Sequence, residues 1–318
     1  MRSDTPRRSL AVLTLGTVMI SFAVRAQQPA GVRQEQAFPV EARVLVDGVF
    51  ERCEGIAFNG EGKLFVAGNQ AVWQVRASGE VAKVTDVYSN LGLAPIGERD
   101  LLMADFGPTN RFTQGPNADG IVWHITPGGH KTRVVNGGIG DPNFVLVLPD
   151  RSILVSDDAT DEIFRVERSG AMQLFTDAIG HPNGMVLAPD GSILYVAQIF
   201  TSLRPLVIDD RLWAIPLEDG RPAGAPRVIA HLGTGAGNDG LAMDEAGRIY
   251  VAANGTGEIW RVDPATGETV LIAENLPGVA SLAFGQGEFN HQAIYATSTR
   301  TGRVWEVRVG VAGAPLQR

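Results

Sequence analysis

A single cysteine, Cys53, stands among 318 residues. That excludes an internal disulfide framework and any zinc site built from clustered thiolates. Basic residues are also scarce, with 27 Lys and Arg against 35 Asp and Glu and a formal charge of −8. The chain therefore lacks the cationic surface that nucleic acid or polybasic attachment to an acidic membrane requires. Beyond Val24 no apolar run is long enough to cross a bilayer. Proline usage (18) is ordinary, but 38 glycines exceed the average, so frequent turns are expected and long helices are not. With no covalent staple, a buried core must hold the chain together, and 44% apolar residues suffice for one large domain or two ordinary ones.

The first residues have the pattern of an address. Arg2, Arg7 and Arg8 precede the apolar run Leu10–Val24, and Val24-Arg25-Ala26 has the small-residue form of a cleavage site. Residues 1–26 are thus expected to be a secretory signal, and Arg7-Arg8 is compatible with twin-arginine export. Its removal takes away a net +3 and leaves a formal charge of −11 on the remainder. The expected location is periplasmic or secreted.

An internal repeat organises the rest. Val72-Trp73-Gln74-Val75, Val122-Trp123-His124-Ile125, Leu212-Trp213-Ala214-Ile215, Ile259-Trp260-Arg261-Val262 and Val304-Trp305-Glu306-Val307 take up all five tryptophans. Ile163-Phe164-Arg165-Val166 is a sixth copy, and the aromatic positions are 50, 41, 49, 47 and 45 residues apart. Each run alternates with period two, as a strand does, and its aromatic is expected to serve core packing. Before each lie two more strand-like runs, such as Gly184–Leu187 and the run ending at Val196-Ala197. A turn and a fourth run, such as Thr269–Ile272, come after. Four short antiparallel strands per period predict an all-β, six-bladed β-propeller. The last copy has no fourth run of its own, whereas Glu41–Val46 is unpaired before the first. An N-terminal strand completing the last blade would close the ring and remove an exposed edge. The expected division is a signal at 1–26, a flexible lead-in at 27–39, the propeller at 40–310 and a tail at 311–318.

Aligned on their first strands, the repeats present Glu54, Leu91, Asn143, Asn183, Asp239 and Ala280 just before each. Innermost strands surround the propeller channel, so equivalent starts converge at one mouth. Two carboxylates and two amide oxygens there suit a hard divalent cation, Ca²⁺ ahead of Mg²⁺, Mn²⁺ or Zn²⁺. Asn and Asp before glycine are also common turn residues, the alternative reading of Asn183-Gly184 and Asp239-Gly240.

The runs Cys53–Phe58, His181–Gly191 and Asn238–Met243 resemble the senescence marker protein, gluconolactonase and luciferin-regenerating enzyme family along nearly the whole chain after the signal. The resemblance implies a six-bladed propeller with a divalent metal, often calcium, in its channel and lactone hydrolysis as its activity. It implies Glu54, Asn183 and Asp239 as metal ligands and places Asn143 at a position that binds metal or contacts substrate. Around Asn143 the chain departs from the sugar lactonases. Asp141 stands where an arginine is frequent, and Phe144-Val145 where Asp-Gly is.

Such a cation would polarise a lactone or ester carbonyl toward attack by water. For the general base the resemblance favours Asp239, with Asp141 and His181 as competitors. Asp157, Asp158, Gln198 and Asn254 end second strands and so return to the same mouth, as pocket lining or as turn residues. The connections Gly107–Asp119 and Ile199–Asp210 are the expected lids, and within them Arg111 and Arg204 either meet a polar substrate or stay solvated. Cys53 is expected to be a small buried residue rather than a nucleophile. The expected partner is a small lactone or ester. The competing functions are a non-catalytic exported binding propeller with a structural calcium and a phosphotriesterase-like hydrolase on the same scaffold.

Overall fold

A computed structural model of the protein describes Met1, residues 36–109 and residues 117–318. Apart from Met1, the expected signal at 1–26, most of the lead-in, and Arg111 lie outside the described residues. Among those described, the regular structure is all strand, and it forms six antiparallel sheets of four or five strands plus one two-stranded hairpin. These sheets are the blades of a six-bladed propeller. The repeat sets their order, the blades following one another along the chain with inner strands starting at Cys53, Leu93, Pro142, Pro182, Asn238 and Val279.

The sixth blade closes as the unpaired run predicts. Arg43–Val46 pairs antiparallel with Val304–Arg308, in the register Arg43 opposite Glu306 and Val44 opposite Trp305. Arg43 also forms an ion pair with Glu306.

The core is six clusters, one in each seam between neighbouring blades. Phe65 and Val72 of blade one meet Leu101 and Trp123 of blade two, and Tyr250 and Ile259 of blade five meet Ile294 and Trp305 of blade six. The seam between blades six and one joins Val46, Phe58, Tyr295 and Val304. Strand alternation sends every second side chain into a seam, so all sheets bury both faces and no single blade has a core of its own. The tryptophans pack in these seams and also tie strands together. The indole N–H groups of Trp73, Trp123 and Trp213 donate to Gly68 O, Asp105 Oδ2 and Gln198 Oε1, each at 2.8 Å.

Two segments depart from expectation. The end of the lead-in is anchored, because Phe38 and Val40 pack on the seam between blades five and six and Val40 N donates to Ile272 O at 2.8 Å. Residues 311–318 are not a loose tail. Glu245 N donates to Ala312 O and Ala314 N to Met243 O, each at 2.9 Å, and Arg318 reaches Glu98 at 3.0 Å. Apolar side chains drive both cases, since Val311, Ala314 and Leu316 each pack against a different seam.

The closing strand gives a direct test of this architecture. Val46 is 2% exposed and Val44 39%. In urea unfolding, Val46→Ala is expected to cost about 2 kcal/mol through lost burial and a residual cavity, and Val44→Ala less than about 0.5 kcal/mol. Equal effects would place the ring closure elsewhere.

Candidate metal centre

In five blades the aligned positions lie inside the innermost strand as its second residue, not before it: Glu54 in Cys53–Phe58, Asn143 in Pro142–Val147, Asn183 in Pro182–Leu187, Asp239 in Asn238–Met243 and Ala280 in Val279–Phe284. Leu91 alone precedes its strand, Leu93–Ile96. At each of the five the pairing with the second strand slips at this point, as between Cys53 and Ile56 or Asn238 and Leu241. Such a bulge breaks the alternation and re-aims a side chain.

The residue that follows sets how near neighbouring blades come. A Cβ on Gly55 would run into the Leu91 carbonyl, on Gly92 into that of Asn143, on Gly184 into that of Asp239, and on Gly240 into that of Ala280. None of these four glycines has a positive φ. Their role is close backbone approach, which corrects the turn reading of Asn183-Gly184 and Asp239-Gly240. Where the following residue is not glycine, a second-strand hydroxyl bridges the wider gap. Ser156 Oγ accepts from Phe144 N at 3.1 Å and donates to Asn183 O at 2.9 Å. Thr297 Oγ1 accepts from Ser281 N at 3.2 Å and donates to Glu54 O. Each of the six positions therefore touches the next around the ring.

This ring gathers polar side chains at the channel axis. Asn143 Nδ2 donates to Asp158 Oδ2 at 2.8 Å and faces Glu54 Oε1 at 3.4 Å. Asn254 Nδ2 donates to Asp239 Oδ2 at 3.0 Å and to Thr299 Oγ1 at 3.2 Å. Asn183 is 1% exposed, yet neither atom of its amide has a hydrogen-bond partner, and Asp158 Oδ1 also lacks one. A buried amide left unpaired is costly.

The carboxylates are held in an unfavourable state for anions. Burial pushes the Glu54 carboxyl up to about 7, moderated by the Asn143 N–H. Asp239 is raised by burial and then by the Glu54 charge, against the Asn254 and Gly240 N–H groups. Burial also raises Asp158, reinforced by Asp157, Glu54, Asp141 and Asp239. The charges acting on these three are all carboxylates. Buried like charges in contact need protons or a cation. Among the described residues His, Cys, Asp and Glu alone form no group of three able to hold a metal, so a cation here would draw on amide oxygens as well. Glu54, Asn183 and Asp239 offer only oxygen donors at this mouth, with the Asn183 amide unpartnered, a donor type that fits a hard divalent ion.

The other expected residues fall on several sides of the site. Asn254 positions Asp239. Asp141 is 1% exposed, accepts from Asn117 Nδ2 at 3.1 Å, and is raised chiefly by burial. His181 has φ +46°, its Nδ1 lies 2.9 Å from Asp158 O, and its ring packs on Phe200 with centroids 6.2 Å apart. A carbonyl only accepts, so Nδ1 is the donor in this contact. Asp157 and Gln198 are both engaged in local hydrogen bonds. Asp157 Oδ2 accepts from Gly140 N at 2.9 Å and Asp141 N at 3.2 Å; Oδ1 accepts from Ala159 N at 3.1 Å. It clamps the turn, and the next residue, Asp158, is the one that enters the cage. Gln198 holds the Trp213 indole and donates to Phe200 O at 2.9 Å. Arg204 is exposed at the tip of the hairpin Phe200–Leu203 with Leu206–Ile208, the form taken by one expected lid. The other expected lid includes residues outside those described. Burial pushes the Cys53 thiol up to about 12, which removes it as a nucleophile. Above Glu54 a cavity of about 650 Å³ opens between Arg52, Gln70, Tyr88, Phe106 and Thr299.

A six-bladed propeller with an acidic, amide-lined cage at one mouth of its channel defines the class of this protein. Residues 153–300 match the SMP-30/Gluconolactonase/LRE-like region, which supports the resemblance read from the motifs. The matched stretch holds Asn183 and Asp239, and the ring brings Glu54 and Asn143 to it. No curated protein matches the chain. Among solved structures, a calcium-binding protein, regucalcin, from Agrobacterium tumefaciens is similar over 88% of this chain and 98% of its own, with 21% identity and a TM-score of 0.69. A gluconolactonase from Xanthomonas campestris is similar over 86% and 90%, with 18% identity and a TM-score of 0.66. A luciferin-regenerating enzyme is similar over 85% and 95%, with 15% identity and a TM-score of 0.65.

The raised carboxyls carry a linkage consequence. A buried acid that holds its proton more tightly folded than unfolded makes stability fall as pH rises between the two values. In chelator-treated protein, stability is expected to decline from the ordinary glutamate range, near 4.5, through about 7, and Glu54→Gln to flatten that decline. A denaturation midpoint that rises over this interval would contradict the burial of these charges.

Proposed function

We propose that the protein is a lactonase-type hydrolase that uses a divalent cation, calcium foremost, held by Glu54, Asn183 and Asp239. Asp158 and Asn143 complete the polar cage. One observation carries this reading: the wholly buried Asn183 amide, with no partner of its own, belongs to a cage of desolvated carboxylates that lacks a cationic side chain. The matched family region and the gluconolactonase neighbour support the reaction class.

When bound, the cation supplies Lewis acidity toward a lactone carbonyl. The chain's own residues supply the rest. Asn254 and the Gly240 N–H hold the Asp239 carboxylate, which accepts a proton from the attacking water. Ring opening then transfers that proton to the departing alkoxide, so lactone and water give one hydroxy acid. The Asn143 N–H holds one oxygen of Asp158. Tyr88 and Phe106 give the mouth above Glu54 an aromatic wall on which the substrate ring rests.

Hydrolysis of a lactone panel tests this reading. Chelation, and separately Glu54→Gln, are expected to lower kcat/KM by at least about a hundredfold, and added Ca²⁺ to restore only the chelated wild type. Asp239→Asn is expected to lose about 10²–10⁴-fold, the range for a positioned acid–base group. Turnover that survives both substitutions would overturn the mechanism. Saturable ligand capture with no turnover on any ester would favour the binding-propeller alternative. Residues 1–26 are read in the same proposal as an export signal. A polypeptide starting at Gln27 in the periplasmic fraction is expected, and a cytoplasmic chain retaining Met1 would refute it.

A further inference from the structure

We propose that the half of the channel remote from the carboxylate cage is a second ligand site, taking an uncharged molecule with an apolar body and one hydroxyl group. Its construction follows from the same bulges. Three residues beyond each cage position the inner strands turn a second ring of side chains inward, and Ala57, Leu146, Val186, Ala242 and Ala283 line a cavity of about 420 Å³. These residues are small or aliphatic, and among the lining side chains only Glu245 and Gln317 carry hydrogen-bonding groups. Binding sites for small molecules share that combination of volume, apolar walls and few polar groups. The C-terminal strap completes the chamber. It is pinned at one end by the Ala312 and Ala314 backbone bonds and at the other by Arg318 on Glu98. Between those pins, Leu316 and Gln317 line the cavity.

Gln317 determines the chemistry. Its Oε1 is buried and has no hydrogen-bond partner, an arrangement that costs free energy unless a donor arrives. The one charged side chain in the lining, Glu245, sits on an exposed residue at the rim. An anion would enter without a counter-charge, whereas a hydroxyl can donate to Gln317 while its apolar body fills the shaft. This site is separate from the proposed hydrolysis, which occupies the opposite mouth.

The probe is 2-naphthol, with 2-naphthoate as its charged counterpart, followed by fluorescence titration of the full chain. Saturable one-to-one binding of 2-naphthol is expected, with 2-naphthoate weaker by about tenfold or more, equivalent to about 1.4 kcal/mol. Leu316→Arg, which places a charge in the strap, is expected to weaken 2-naphthol by at least about tenfold. Gln317→Leu is expected to weaken 2-naphthol by about tenfold while 2-naphthoate, still without a counter-charge, stays excluded. If Leu316→Arg does not fold, Ala242→Met narrows the shaft without touching the strap and is expected to give the same loss. Non-saturable binding, or binding unchanged in Ala242→Met, overturns the proposal. So does binding lost in Tyr88→Ala but kept in Leu316→Arg, which would put the naphthol in the upper mouth.

Discussion

The close passage of one inner strand past the next is the constraint on which the rest of the molecule depends. Gly55, Gly92, Gly184 and Gly240 let neighbouring backbones approach where any side chain would collide with a carbonyl. The hydroxyls of Ser156 and Thr297 span the two places without glycine. Six contacts of this kind bring side chains from four blades to one axis. Behind them each seam is filled by buried aliphatic and aromatic groups from two sheets.

That ring makes the site electrostatically demanding. Glu54, Asp158 and Asp239 share a desolvated space with amides and no basic side chain. The same enclosure that would strengthen a cation's hold on these oxygens makes them poor anions without it. The apolar shaft beneath the cage and the strap across its far end keep the opposite side of the channel largely nonpolar. The two halves of one channel thus differ in chemistry by virtue of a single bulge in five of the six inner strands.

Much of this was legible in the residues. Period-two alternation around the tryptophans marks strands, and their spacing marks blades. The missing fourth run after Trp305 together with the unpaired Glu41–Val46 marks the closure. The four oxygen-bearing positions could be aligned because a repeat carries its own register. Asp157 is less legible, because a strand end leaves pocket lining and a turn role both open. Its place at a strand end suggests pocket lining, but three backbone N–H groups claim its carboxylate, and only the turn that follows decides which of two adjacent aspartates enters the cage. The strap was missed for a related reason. Val311-Ala312-Gly313-Ala314 has no strand periodicity, and its anchors lie on other blades.

What the amino-acid order determined by itself was the architecture: local alternation and repeat length specify strands and blades because they depend only on near neighbours. The tertiary structure alone decided the site's detail. The Thr297 bond to Glu54 spans 243 residues, and bulge geometry, cage membership and the strap's course all depend on contacts of that range. Alternation within a strand carries no information about which blade will stand beside it.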